Sequence, residues 1–211
     1  MRAVVAGGTG LVGGALLAEL AARAIPALAL GRRAGTARPG IQWRQADLAA
    51  LHAADIPTGT TAAFCCLGTT IKVAGSPEAF RAVDHGMVLS FATACRGAGV
   101  PSFAVVSAAG ADAASRIFYS RVKGEMERDL AALGFPSLAV LRPGLLLGER
   151  SEPRAMERVA IGVARSLRPV LPAAWRGVEA TIVARALLAA TEAGRPGVRR
   201  IGNAELQRLG A

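Results

Sequence analysis

Residues 2–14 read RAVVAGGTGLVGG, a short apolar run that passes straight into glycines. Ala3, Val4, Val5 and Ala6 carry no charge, the pattern of a central strand in a parallel sheet covered on both faces. Gly7, Gly10 and Gly13 follow three apart, and Gly8, Gly10 and Gly13 also satisfy the G-x-G-x-x-G spacing. Such a turn needs one residue without Cβ to leave the strand sharply and one that lets backbone N–H groups reach a pyrophosphate. It needs a third so that the next helix can lie close on the sheet. The spacing predicts a helix over residues 11–24 whose positive N-terminal end faces the phosphates. An ordinary strand-to-helix turn uses the same glycines; the strand before and the helix after favour a dinucleotide site.

The rest of the chain fits one domain. With 211 residues and 52% hydrophobic content it can bury one core. The expected class is α/β, a Rossmann-like, doubly wound, mostly parallel sheet of six or seven strands, with residues 149–176 as a small cap on the substrate side. No run of 18 apolar residues escapes charge, Gly or Pro, so no membrane span is expected. A first strand at residue 2 or 3 leaves no room for a cleavable leader, and the expected location is cytoplasmic. Cys65, Cys66 and Cys95 lack metal-ligand or C-x-x-C spacing and read as small core residues; no metal is expected. The net charge of +10 is dispersed and aromatics are 4%, which argues against a nucleic-acid surface. Of 25 Lys and Arg residues only Lys72 and Lys123 are lysine.

In chain order, residues 27–30 form a second strand that closes on Gly31-Arg32-Arg33. Where this fold meets the adenosine ribose, an acidic residue favours a free 2′-OH and arginine a 2′-phosphate. Arg32 and Arg33 therefore point to NADP over NAD, unless they are two solvated loop arginines. A third strand over residues 41–44 leads to Asp47, placed to accept from the adenine amino group or to cap a helix over 48–53. His52 reads as a surface histidine. Residues 62–67 form the fourth strand, with Gly68-Thr69-Thr70 at its ligand-facing end; residues 71–76 read as a loop carrying Lys72. Ser76 and Pro77 open a long helix to residue 97, with Phe80, Val83, Val88, Phe91 and Cys95 facing the core. His85 within it reads as a satisfied structural residue.

Residues 103–107 form the fifth strand and end on Ser107. Tyr119, the sole tyrosine, follows twelve residues later, and Lys123 four after that. Positions i and i+4 share a helix face, so phenol and ammonium can point into one cleft. A phenol of pKa about 10 is a poor acid or base at neutral pH, and a nearby cation lowers it. Serine can hold a carbonyl or alcohol, tyrosine can exchange its proton, and lysine can also orient the nicotinamide ribose. The bland alternative is a half-buried tyrosine beside a solvated lysine.

Ser107, Tyr119-x-x-x-Lys123 and the glycine turn resemble a short-chain dehydrogenase/reductase. Cys66-Leu67-Gly68-Thr69-Thr70, Val122-Lys123-Gly124-Glu125 and Arg142-Pro143-Gly144-Leu145-Leu146-Leu147 resemble its atypical branch that includes the Tat-interacting oxidoreductase-like proteins. The resemblance covers essentially the whole chain. It implies an NADPH-binding Rossmann fold with Ser107, Tyr119 and Lys123 as catalytic residues. The cofactor would touch Gly7, Thr9, Gly10, Leu11, Val12, Gly13, Arg32, Arg33, Asp47 and Leu48. Leu67, Gly68, Thr69, Thr70 and Lys123 would meet the nicotinamide ribose, and Pro143, Gly144 and Leu145 the carboxamide. The Asn-Ala-Gly segment usual after the fourth strand is replaced by Leu67-Gly68-Thr69, so its asparagine has no counterpart there.

A sixth strand is expected over residues 137–141. Val159, Val163 and Leu167, at helical spacing, would roof a small or open pocket, with a membrane-surface helix as the alternative. A last long helix covers 178–193, a seventh strand 199–201, and a closing helical turn 204–209. The expected activity is NADPH-dependent oxidation or reduction of a carbonyl or alcohol. The alternatives are a non-turnover NADPH sensor and a nucleotide-sugar epimerase or dehydratase. The expected partners are a small-molecule substrate and a homodimer mate or protein partner.

Overall fold

The computed structural model describes residues 1–147 and 176–211. Seven parallel strands form one sheet: β1 (Ala3–Ala6), β2 (Ala27–Gly31), β3 (Ile41–Gln45), β4 (Ala62–Cys65), β5 (Ser102–Val106), β6 (Ser137–Arg142) and, after the pair below, β9 (Gly197–Gly202). Their order is β3-β2-β1-β4-β5-β6-β9, and β7 (Leu146–Leu147) pairs with β8 (Val178–Glu179) in a second, two-stranded sheet. The main sheet is the expected doubly wound Rossmann-like one, reversing its order between β1 and β4, where ligands of such sheets sit.

Period-two alternation distributes each strand between two cores. Ala3 and Val5, Phe64, Ala104 and Val106, and Leu141 face one side. There they meet Leu16, Leu17 and Leu20 of α1 (Leu11–Ala22) and the helix Ala180–Glu192. Val4 and Ala6, Cys65, Phe103 and Val105, and Val140 face the other, against Phe91 of α4 (Val88–Gly97) and Met126 and Leu130 of α5 (Phe118–Ala132). Cys65 and Cys66 divide between the two sides as adjacent strand residues should.

Several local expectations are corrected. Residues 48–53 form no helix: Asp47 Oδ1 accepts from Ala49 N–H at 3.0 Å, closing a turn, and a short 3₁₀ segment follows at Ala53–Asp55. That bond is one an N-cap makes, but the turn goes no further: Leu51 N–H donates to Ser90 Oγ at 3.3 Å and His52 is extended. Residues 71–76, expected as loop, contain the short helix α2 (Ile71–Ala74), because Thr70 caps it by accepting from Val73 N–H at 3.2 Å. The long helix over 77–97 is divided. Ser76 caps α3 (Pro77–Arg81) as expected, a π-helical turn spans Ala82–Met87, and α4 follows. Val83 is only half-buried, while Asp84, four residues after Phe80 and four before Val88, is fully buried with them. The cap over residues 149–176, with Val159, Val163 and Leu167, lies outside the described residues apart from Arg176. Among the described residues no helix is long and apolar enough to cross a membrane.

Candidate active site

The glycine turn leaves β1 at Gly7, whose φ of +83° suits glycine and whose missing Cβ would stand 2.6 Å from the Cys66 carbonyl. That contact brings the turn against the end of β4. Gly13 lies so close under the turn that a Cβ would meet the Gly7 oxygen at 2.1 Å. Gly10 differs: it is exposed, stands at the N-cap of α1, and no side chain caps that helix. The first-turn N–H groups of α1 thus have no side-chain acceptor, and Thr9 and Gly10 present open backbone in front of them. This donor set fits the diphosphate of a dinucleotide. Leu11 is half-buried and Val12 buried, so Val12 could offer only its backbone.

Arg32 and Arg33 are exposed beyond β2. The loop after them folds back over Trp43, and a cavity of about 170 Å³ is lined by Gly8, Thr9, Thr36, Arg38 and Trp43 among others. Asp47 is exposed, while Leu48 is buried in the core.

At the exit of β4, Leu67 is half-buried and Thr69 N–H donates to Asp84 Oδ2 at 2.8 Å. A Cβ on Gly68 would lie 3.5 Å from Asp84 Oδ1 and 3.9 Å from Lys123 Nζ. Tyr119 and Lys123 occupy successive turns of α5, as i, i+4 spacing requires. The Tyr119 ring lies 5.4 Å from that of Phe80, inclined by 37°. Lys123 does not reach solvent: its Nζ stands 2.8 Å from Asp84 Oδ1, with the two side chains 4% and 1% exposed.

Lys123 lowers the Tyr119 pKa as expected, but burial outweighs it. Burial pushes the Tyr119 phenol above its ordinary value, Asp84 adds to the rise, and the pull of Lys123 does not offset them. Lys123 itself titrates above an ordinary lysine. Burial works most strongly against its charge, but the Asp84 carboxylate beside it, together with Tyr119 and Cys65, outweighs that cost.

Ser107 is buried just beyond β5, and its hydroxyl donates to Glu127 Oε1 at 2.5 Å. Glu127 sits one further turn along the face of Tyr119 and Lys123 and is 1% exposed. It also accepts from Arg142 Nε at 2.9 Å and Nη2 at 2.6 Å, and from Arg200 Nε at 3.2 Å. A cavity of about 470 Å³ adjoins this cluster, lined by Asp112, Gly124, Arg128 and the two arginines. The turn after β6 is held from the far end of the chain. Gly144 N–H donates to Asn203 Oδ1 at 3.0 Å, Asn203 Nδ2 donates to the Arg176 carbonyl, and Pro143 O accepts from Ala109 N–H. Pro143 is buried and Leu145 is 44% exposed.

The fold thus brings Tyr119, Lys123 and the Gly68–Thr69 turn together, and directs the Ser107 hydroxyl to Glu127. His85 finds the expected partner, its Nε2 lying 2.8 Å from Asp129 Oδ2, and His52 is exposed. Sequence reasoning passed over Asp84, Glu127 and Asn203. The signal for Glu127 was its place in the i, i+4, i+8 series from Tyr119. The signal for Asp84 was its place four residues after Phe80 and four before Val88, on the face expected to be buried.

No family model matches the chain. Among curated proteins it is similar to "Protein FMP52, mitochondrial" of Meyerozyma guilliermondii, 35% identical over 159 residues, 71% of this chain and 67% of that one. It is also similar to "Protein FMP52-1, mitochondrial" of Scheffersomyces stipitis, 42% identical over 108 residues, 51% of this chain and 48% of that protein. In the Scheffersomyces comparisons the chain spans about half the length of the relative. These names overturn the cytoplasmic expectation, since each relative is named as mitochondrial. Composition and cysteine count report redox character, and they carry no address. Among solved structures, MoeE5 in complex with UDP-glucose and NAD superposes with a TM-score of 0.75 at 19% identity, over 96% of this chain and 76% of that one. The UDP-glucose 4-epimerase of Thermus thermophilus in complex with NAD gives 0.72 at 21% identity, over 99% and 81%. At these identities the likeness shows the Rossmann-like fold.

Proposed function

The chain belongs to the family of FMP52 proteins, and from that premise we propose that it is an NADP(H)-dependent oxidoreductase of the atypical short-chain type, in the Tat-interacting oxidoreductase-like branch. It would interconvert a carbonyl and an alcohol. The observation that carries this reading is Lys123, held 2.8 Å from Asp84 beside the Gly68–Thr69 turn, one helical turn from the sole tyrosine. The NAD bound by the fold neighbours supports a dinucleotide in the crevice between β1 and β4.

Gly7, Gly10 and the N–H groups of Leu11, Val12 and Gly13 would hold its diphosphate, with Thr9 beside them. Arg32 and Arg33 would take a 2′-phosphate, and Asp47 and the Leu48 backbone the adenine. Leu67, Gly68, Thr69, Thr70 and Lys123 would line the nicotinamide ribose, and Pro143, Gly144 and Leu145 the carboxamide. When bound, the nicotinamide supplies or accepts hydride. Tyr119 moves the proton at the substrate oxygen. Ser107, bonded to Glu127, would reach a substrate oxygen only by giving up that bond. That observation favours, as a second reading, a protein that binds NADPH without turnover.

The test is NADPH oxidation against a panel of aldehydes, ketones and quinones, with Tyr119→Phe beside the parent. Turnover that falls at least about a hundredfold in the variant supports the enzyme. Tight NADPH binding with no turnover on any member refutes it in favour of the second reading.

A further inference from the structure

Gly8 completes the G-x-G-x-x-G spacing, yet its missing Cβ serves side chains. A Cβ there would stand 2.7 Å from Leu17 Cδ1 and 2.9 Å from Trp43 Cη2. Gly35, in the loop that leaves β2, approaches the same indole: its Cβ would stand 2.5 Å from Trp43 Cζ2 and 2.6 Å from Cη2. Trp43 Nε1 also donates to the Thr36 carbonyl at 3.3 Å. The glycine turn and the loop therefore both rest on one rigid ring, at distances that only a residue without Cβ allows.

The loop is pinned where it rejoins the sheet. The Arg38 carbonyl accepts from Ile41 N–H at 3.2 Å, and the Gly40 carbonyl from Ala27 N–H at 3.0 Å. The cavity of about 170 Å³ lies between this loop, α1 and the indole, and it reaches Gly8 and Thr9 of the glycine turn. Small-molecule pockets begin at roughly 300 Å³, so this one takes a substituent of a ligand and not a whole one.

The lining says which substituent. Arg38 is its one charged residue, no carboxylate lines it, and Thr9 and Thr36 add hydroxyl donors. Arg38 is half-buried, yet among the described residues its side chain has no ion pair and no hydrogen bond. Arg32 and Arg33, by contrast, are exposed and do not line the cavity. A guanidinium without a partner, flanked by hydroxyls and free of nearby acid, suits a phosphate monoester, which accepts its planar fork through two oxygens.

We propose that Arg38 is a further specificity-determining residue for the dinucleotide: the 2′-phosphate of NADP(H) enters this cavity beside Gly8 and Thr9 and pairs with the Arg38 guanidinium. This rests on the NADP(H) reading and adds a residue and a cavity to it. The turn proposed to hold the diphosphate also borders the cavity, so one nucleotide can reach both. Arg32 and Arg33 then meet the phosphate from its solvent side. A nucleotide with a free 2′-OH leaves the Arg38 charge without a counter-ion, and that difference separates the two cofactors.

Calorimetric titration with NADPH, NADH and 2′,5′-ADP tests this without turnover. The parent is expected to bind NADPH at least roughly tenfold tighter than NADH. Arg38→Met keeps the reach of the side chain and removes its charge. It should weaken NADPH and 2′,5′-ADP roughly tenfold or more and leave NADH within about twofold, which also reports that the variant is folded. Gly35→Ala, which must displace the Trp43 ring, should likewise weaken NADPH more than NADH. Losses equal for NADPH and NADH, or an Arg38→Met protein that keeps the parent's preference, overturn the role of Arg38 and leave the NADP(H) reading standing. A parent that binds the two cofactors equally overturns both.

Discussion

Glu127→Gln keeps the shape of the side chain and removes its charge, and the structure gives a magnitude for the loss. The carboxylate is 2% exposed and receives four donor groups: the Ser107 hydroxyl, Nε and Nη2 of Arg142, and Nε of Arg200. The same bond holds the Arg142 guanidinium above its ordinary range. Removing one charge of a buried pair costs about 3–5 kcal/mol. Here the two guanidiniums are 29% and 47% exposed, so water recovers part of that. A loss of about 2–3 kcal/mol is expected. Urea unfolding should show it as a midpoint lowered by about 1 M at an unchanged slope of about 2–3 kcal/mol/M. Ser107→Ala removes one neutral donor and should cost about 1 kcal/mol in the parent, and less in the Glu127→Gln background, because the two share a bond. A Glu127→Gln midpoint within about 0.2 M of the parent, or strictly additive effects, would refute the idea that this cluster ties β5, α5, β6 and β9 together.

Three further outcomes are expected. Gly13→Ala, with its new Cβ 2.1 Å from the Gly7 oxygen, should lower stability by about 3 kcal/mol or more, while Gly10→Ala, where the nearest atom is at 3.3 Å, should unfold near the parent yet lose NADPH affinity in a fluorescence titration. Arg32→Ala with Arg33→Ala should weaken NADPH roughly tenfold or more and leave NADH nearly unchanged; equal losses for both would remove the 2′-phosphate assignment. Hydrogen bonding by Arg81 holds the Glu125 carboxyl below the usual carboxylate range, and bonds from Arg128 and His85 do the same for Asp129. Depressed folded values mean that this stability is present above the unfolded value of about 4 and is lost as pH falls through the folded values. Asp129→Asn should therefore flatten the acid limb of thermal melting against pH, and an unaltered limb would contradict the sign.

The sequence determined the strand-to-turn-to-helix opening, the two-sided core and the i, i+4 placement of Tyr119 and Lys123. Each follows from local periodicity or from glycine at a forced position: alternation along β1, β5 and β6 assigns faces, and Gly7 and Gly13 admit close contacts that any Cβ would block. The tertiary structure decided how those groups are charged and occupied. Whether residues 48–53 coil into a helix turned on Leu51 N–H, which donates to Ser90 Oγ at 3.3 Å and not to the backbone four residues back. Whether a carboxylate could sit on the buried face at Asp84 turned on Lys123, brought to 2.8 Å from α5. Whether Ser107 is free turned on a glutamate twenty residues away. Burial and ion pairing depend on which side chains distant parts of the chain bring together. Spacing could therefore place the phenol beside the ammonium, but not reveal the carboxylate that neutralises it.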